Sequence, residues 1–306
     1  MKGRFTILGT SSAIPTKERN HPAVYFQYGG EAFLFDCGEG TQRQIQLAEL
    51  SFFKINRIFI THLHGDHVLG LPGLLQTLDF HEKEKIQIFG PKGIKELVEL
   101  STRRCFYINT DDLKVEVFEF EEKPDLFEVY KGDNYTVKGA FLNHTVPCIG
   151  FSFEENSRFR FDKEKVRSLG LKATHFKDLE KKGYTYLENR IVKKEKLGSW
   201  QKGFKWCYIT DTYYTENIFF LTANADYVII ECTYFDEDDL AAKVKHLSFN
   251  LFKEKIYPIF QQQGVKKIIL THFSRRYKDL TPFEEAIKKH KMENVILAKD
   301  FLSFSF

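Results

Sequence analysis

The chain has 306 residues, of which 42% are hydrophobic and 28% charged, and its formal net charge is only +3. These values are ordinary for a globular protein and give enough chain to bury a large core, as one large α/β domain or two small ones. No apolar run approaches the ~20 residues of a helical membrane span, which excludes that class of membrane protein.

In chain order, residues 4–9, 23–28 and 31–36 read as short strands, with Tyr28-Gly29-Gly30-Glu31 as the hairpin turn between the last two. A helix over 39–50 and a strand over 57–60 follow. After a His-rich loop come a helix over 71–80, a strand over 85–89, the turn Gly90-Pro91-Lys92-Gly93 and a helix over 94–102. Residues 114–120 and 135–143 read as strands. The order then starts again: strands at 206–210 and 227–231, a helix over 249–263, a strand at 267–271, a helix over 282–289 and a last strand at 295–298. Two successive β-rich, helix-ending halves predict two sheets packed face to face with helices outside, a four-layer αββα arrangement in one domain spanning 1–306. The 31 Phe residues would thicken its core.

Between these halves, residues 157–205 are polar and short of apolar periodicity, and they read as an inserted arm. Residues 158–205 hold fifteen Lys and Arg against six Asp and Glu, an excess of nine positive charges that leaves the rest of the chain at −6. A basic insert on an acidic body suggests a polyanionic partner; a solvated Lys-rich surface is the plainer alternative. The five cysteines are odd in number and widely spaced, with no CxxC, and no signal peptide precedes the first strand. They predict free thiols in a reducing cytoplasm, with Cys207 and Cys232 in the core.

The chemistry concentrates in ITHLHGDHVLG (60–70). His62 and His64, two apart at an extended strand end, project to the same side. Two imidazoles there can bind one metal, while Gly65 lets the chain bend so that Asp66 and His67 reach a second. Three more apolar runs stop at a potential ligand: His144 in FLNHTVP, Asp211 in CYITDT and His272 in IILTHFSRRY. A carboxylate such as Asp211 can bridge two cations. His62, His64, His144 and Asp211 are therefore expected to bind one zinc, and Asp66, His67, Asp211 and His272 another, giving two Zn2+ per subunit. A lone His at a strand end is usually structural; the joint cluster is what argues otherwise.

The chain resembles the metallo-β-lactamase superfamily and, within it, the ribonuclease Z family of tRNA 3′-processing endonucleases. The resemblance rests on LGTSSAIPTKERN (8–20), FLFDCGEGTQRQ (33–44), THLHGDHVLGLPGLL (61–75), GPKGIKELV (90–98), HTVPCIGF (144–151) and LTHFSRRY (270–277). It implies a zinc-dependent endoribonuclease that removes the 3′ trailer of precursor tRNA, leaving a 3′-hydroxyl on the tRNA and a 5′-phosphate on the trailer. It also implies a homodimer whose arm acts as a tRNA-binding exosite. Asp66 would orient or deprotonate the attacking water. His246, in KHLSF, resembles the His of a His-Ser-Thr motif and would serve the leaving oxygen, with Glu231, in IIECTYF, orienting it; the alternative for His246 is an ordinary residue preceding a helix. Asp36 is a candidate hydrogen-bond partner for ligand histidines or a plain turn former. Arg19 and Asn20 are candidate contacts for the acceptor end, or members of a structural loop. Arg275 and Arg276 are a candidate phosphate clamp, or surface ion-pair partners. Lys181 and Lys182, in EKKGYTY, would bind tRNA phosphates.

Three departures stand out. Thr210 replaces a Gly before Asp211, Ile230 replaces a His before Glu231, and LKATHFKDLEKKG (171–183) replaces a Gly-Pro-rich arm tip. Two other readings follow from the same residues: a phosphodiesterase of this superfamily acting on a small or cyclic phosphodiester, and a catalytically silent RNA-binding scaffold.

Overall fold

Alternation along the short strands sends two kinds of side chain to opposite faces. In Glu31–Phe35, Phe33 and Phe35 join one apolar cluster while Ala32 and Leu34 join another. Trp206 and Tyr208 separate in the same way from Cys207 and Ile209. The computed structural model, which describes residues 3–105, 113–188 and 190–306, shows why. Two sheets of seven described strands stack face to face, and each also carries helices on its outer face.

The first sheet contains β1 (Gly3–Gly9), β2 (Ala23–Tyr28), β3 (Glu31–Phe35), β4 (Ile55–Phe59), β5 (Lys85–Pro91) and β6 (Lys114–Phe120). The second contains β7 (Phe127–Lys131), β8 (Tyr135–Leu142) and β9 (Cys148–Glu155). Between them in sequence and the rest of that sheet lie β10 (Arg158–Phe161), β11 (Tyr184–Leu187), β12 (Arg190–Lys193) and β13 (Gly198–Gln201). The second sheet resumes with β14 (Lys205–Ile209), β15 (Tyr227–Glu231), β16 (Lys267–Thr271) and β17 (Val295–Leu297), and β18 (Ser303–Ser305) returns to the first. The orders are β18-β1-β2-β3-β4-β5-β6 and β17-β16-β15-β14-β9-β8-β7. Strands β3 to β6 are parallel, as are β14 to β17. Strand β8 runs in the same direction as β14, because β9 is antiparallel to both.

The inter-sheet core is aromatic. Phe5, Phe26 and Phe35 lie 4.9–5.3 Å from Trp206, ring centre to ring centre. The outer faces are aliphatic: Leu71, Leu74, Leu75 and Leu78 of helix Leu71–Phe80 cover the first sheet. Cys37, Cys148, Cys207 and Cys232 are free and buried; the side chain of Cys105 lies outside the described residues. No described helix is long and apolar enough to cross a membrane.

Two expectations change. The boundary between the sheets falls between β6 and β7, so the arm does not separate two halves; it interrupts the second sheet between β9 and β14. The alternation in 127–131 and the near-continuous apolar run of β9, buried on both faces, carried that information. The helix expected over 249–263 is divided: Phe249–Leu251 and Tyr257–Gln262 are α-helical, with a π-turn over Phe252–Ile256. Pro258 has no N–H to give and crowds the preceding turn, which favours such an insertion.

The arm is more ordered than its polarity suggested. Strands β10 and β13 pair with each other, as do β11 and β12, and none of the four joins a large sheet. The Asp162 carboxylate caps helix Lys163–Ser168 by accepting from the N–H groups of Glu164 and Lys165. Phe159, Phe161, Phe176 and Trp200 form a small aromatic cluster of the arm's own.

Candidate metal centre

The strands that run parallel deliver their carboxyl ends to one edge of the sandwich, where open α/β sheets place ligands. Asp36 follows β3, His62 and His64 follow β4, Asp211 follows β14, Glu231 ends β15 and His272 follows β16. His144 arrives by the same rule, since β8 shares their direction. Asp36, Asp211 and His272 sit in the left-handed region, with φ of 58°, 52° and 62°. Residues other than Gly pay for that conformation, and it persists where the surroundings enforce it, most often at functional sites.

Two groups of side chains converge. His64 Nδ1 lies 3.1 Å from His62 Nε2 and 3.2 Å from His144 Nε2. Asp211 Oδ2 lies 3.5 Å and 3.8 Å from the latter two. In the second group, Asp211 Oδ1 lies 3.4 Å from His67 Nε2 and 3.1 Å from His272 Nε2. Asp66 Oδ2 lies 3.4 Å and 3.5 Å from the same nitrogens. Ligands held at roughly 2.0–2.1 Å in a tetrahedron stand about 3.3 Å apart, so both groups have the spacing of a cation's ligand set. Each oxygen of Asp211 serves one group. His67 Nε2 and His272 Nε2 are buried without any hydrogen-bond partner, which an imidazole facing a cation explains and one facing only protein does not. The donor set fits a divalent cation.

The far nitrogens of four of the five histidines are held as well. His67 Nδ1 donates to Asp36 Oδ2 at 2.7 Å, and His144 Nδ1 donates to the Lys245 carbonyl at 3.2 Å. His62 Nδ1 lies 3.0 Å from Thr61 Oγ1, and His272 Nδ1 lies 2.9 Å from Thr233 Oγ1. Thr61, Thr233 and Lys245 escaped sequence reasoning, although Thr61 and Lys245 directly precede His62 and His246 and Thr233 lies two residues after Glu231. Burial, then the neighbouring His67, hold His62 well below the usual imidazole range, so it stays neutral, the form that binds a cation. Burial opposes ionisation of Asp211, but His272, His67 and His62 around it hold its carboxyl far below the usual range.

His246 lies beside these groups. Its Nδ1 is 3.0 Å from Glu231 Oε1, and its Nε2 is 3.9 Å from Asp211 Oδ2. The buried Glu231 also accepts from the Thr212 and Leu247 N–H groups at 2.5 Å and 3.1 Å. Burial works against a charge on His246, yet Glu231 more than offsets it and lifts the pKa to about 9. A cavity of about 850 Å³ opens over the centre, lined by His64, Asp66, His144, Asp211, His246 and His272 among others.

Of the expected substrate contacts, Arg19 does not stand as an accessible one. It is 8% exposed, and its guanidinium donates to the carbonyls of Ser274 and Tyr277 at 3.3 Å and 2.9 Å. It fastens the 10–20 loop to the turn after His272. Asn20 donates to the Glu39 carbonyl at 2.9 Å. Arg276 pairs with Glu237 at 2.8 Å and covers the Tyr234 ring at 5.0 Å; Arg275 is exposed. Lys181 and Lys182 are exposed on the arm, far in sequence from the centre, with Lys182 paired to Asp178 at 2.9 Å. Of the departures, Thr210 leaves Asp211 in place and donates to its Oδ1 at 2.6 Å, and Ile230 is buried in the apolar layer under the helices.

An αββα sandwich with this strand-end cluster of His and Asp defines a metal-dependent hydrolase of the metallo-β-lactamase fold. Over its full length the chain superposes on the metallo-β-lactamase fold protein YhfI from Bacillus subtilis, with a TM-score of 0.68 at 17% identity and 99% of each chain covered. It also superposes on human tRNase Z, short form, with a TM-score of 0.67 at 26% identity, covering 99% of this chain and 98% of that one. The ribonuclease Z of Methanothermobacter thermautotrophicus is 41% identical over 288 residues, covering 93% of this chain and 91% of the relative. A family model described as Anti-Pycsar protein Apyc1 matches residues 3–180, a span that ends inside the arm. The chain belongs to the ribonuclease Z family, and its N-terminal 3–180 also falls within the Apyc1 family model.

Proposed function

We propose that the protein is a zinc-dependent endoribonuclease that removes the 3′ trailer from precursor tRNA, leaving a 3′-hydroxyl on the tRNA and a 5′-phosphate on the trailer. One observation carries the reading: full-length likeness to ribonuclease Z extends over both sequence-distant parts of the His/Asp centre, including Asp211, Glu231, His246 and His272, which lie beyond the Apyc1 match.

His62, His64, His144 and Asp211 would hold one zinc, and Asp66, His67, Asp211 and His272 the second. Two such ions, when bound, would neutralise the charge of a bound phosphate and supply a nucleophile at neutral pH. The protein's own groups do the rest. Asp66 turns one carboxylate oxygen toward His67 and His272, leaving the other to orient the attacking water or take its proton. Attack is in line, with the 3′ oxygen of the upstream nucleotide leaving opposite. His246, oriented by Glu231, whose carboxylate favours the protonated imidazole, would give its Nε2 proton to that oxygen. Arg275 and Arg276 lie on the turn after His272, where phosphates would pass.

The arm, with its excess of nine positive charges, would hold the body of the tRNA by its phosphates through residues such as Lys181 and Lys182, which gives salt-sensitive, shape-based affinity. By the same family likeness the enzyme works as a homodimer, and its free buried cysteines fit a reducing cytoplasm; a monomer mass by light scattering at micromolar concentration would remove the dimer.

The test is a 3′-labelled precursor tRNA incubated with and without chelator. A single metal-dependent cut leaving a tRNA 3′-hydroxyl is the expected result. No cut, with bis-aryl phosphate still hydrolysed, would instead favour a small-phosphodiester substrate.

A further inference from the structure

Two hydroxyls stand where the centre needs a decision that the ligands cannot make themselves. A neutral imidazole carries its proton on one nitrogen, and only the other can face a cation. Thr233 Oγ1 lies 2.7 Å from Glu231 Oε2 and 2.9 Å from His272 Nδ1. A carboxylate can only accept, so the single hydroxyl proton goes to Glu231. The hydroxyl oxygen is then an acceptor toward His272, Nδ1 must carry the proton, and Nε2 is left with its lone pair. Thr61 repeats the arrangement in the other sheet: its Oγ1 lies 2.9 Å and 3.0 Å from the two oxygens of Asp36 and 3.0 Å from His62 Nδ1.

We propose that Thr61 and Thr233 are positioning residues that set the tautomers of His62 and His272, one for each metal subsite. The inference rests on the ligand assignment above. Each buried carboxylate thereby serves two histidines, one directly and one through a hydroxyl. Asp36 holds His67 itself and His62 through Thr61; Glu231 holds His246 itself and His272 through Thr233. Outer partners of this kind typically change metal affinity 10–100-fold when removed.

The experiment uses the full chain loaded with Zn2+, dialysed against graded chelator, with metal content and release rate read by a chromogenic chelator. Thr233→Val keeps the shape and removes the hydroxyl. It should retain one ion as wild type does and release the other at least about 10-fold more readily. Thr61→Val should do the same for one ion, and the double variant should weaken both. Thr61→Ser and Thr233→Ser restore an oxygen at the same place and should hold both ions. Val variants that keep both ions with wild-type affinity would overturn the proposal, as would Ser variants that lose an ion as readily as the Val variants. Thermal unfolding of the metal-free proteins separates a folding defect, since a tautomer role leaves those midpoints together. Wild type that binds no Zn2+ would instead sink the ligand assignment.

Discussion

At the scale of single residues, the centre works because each polar group has one direction left open. Asp66 is committed on one oxygen and lines the cavity. Asp66→Ala should lower tRNA cleavage by at least about 10³-fold, within the range of a lost general base together with a lost ligand, while gel-retardation affinity for the tRNA is retained. Asp300 lies away from the centre and ties both ends of the 10–20 loop to helix Thr41–Leu47, accepting from Thr10 Oγ1, the Asn20 N–H and Gln44 Nε2 at 2.7, 2.8 and 3.0 Å. Burial lifts its pKa to about 6. The folded chain therefore holds this proton more tightly than the unfolded chain does. That contribution to stability is absent well above pH 6, grows as pH falls through 6, and is complete below the ordinary carboxylate value. Between pH 7.5 and pH 5, the metal-free wild type should gain roughly 1 kcal/mol relative to Asp300→Asn in urea unfolding. Equal pH dependence in the two proteins would show that Asp300 titrates normally.

At the scale of elements, the short helix Gly65–Val68 is aimed by the turn after β3. Cys37 N donates to the His67 carbonyl at 2.8 Å, and Gly70 N donates to the Cys37 carbonyl at 2.9 Å. The two turns touch at Gly38, where a Cβ would fall 2.2 Å from the Asp66 carbonyl oxygen and 2.5 Å from His21 Cβ. Neither neighbour is a flexible side-chain end. Gly38→Ala should cost about 1–3 kcal/mol of stability, as overpacking does, and weaken metal retention by displacing Asp66; chemical denaturation and zinc titration measure the two effects. The strands that carry ligands were legible as apolar runs ending at His or Asp. The elements that escaped were β7 and β9, short runs whose alternation and apolar character were present but went unread, and the helices of the arm, whose polar patterns periodicity does not separate from loops.

At the scale of the whole molecule, the arm is separable by construction. Lys205 and Glu154 are paired neighbours on β14 and β9, so the insert leaves and re-enters at adjacent strand ends. Replacing residues 157–203 by a short turn should leave bis-aryl phosphate hydrolysis within a few-fold of wild type and abolish tRNA cleavage at physiological salt. Retained tRNA cleavage would assign the grip to the body. In the intact protein, tRNA affinity should fall steeply with salt, since phosphate contacts release counterions.

From sequence alone, HxHxDH followed by isolated His and Asp residues at the ends of apolar runs points to a cation site, and the reaction at that site is what the family resemblance implies. The αββα layering was legible in the succession of two β-rich, helix-ending halves. The tertiary structure decided the rest. Which nitrogen each histidine presents depends on Thr61, Thr233 and the Lys245 carbonyl: Thr61 adjoins His62 but is turned by Asp36, 25 positions earlier, while Thr233 and Lys245 meet His272 and His144 across 39 and 101 positions. Arg19 became a fastener because its carbonyl partners lie more than 250 positions away in sequence. The arm proved to interrupt the second sheet because strand pairing is a long-range choice, and local pattern records burial, not partner.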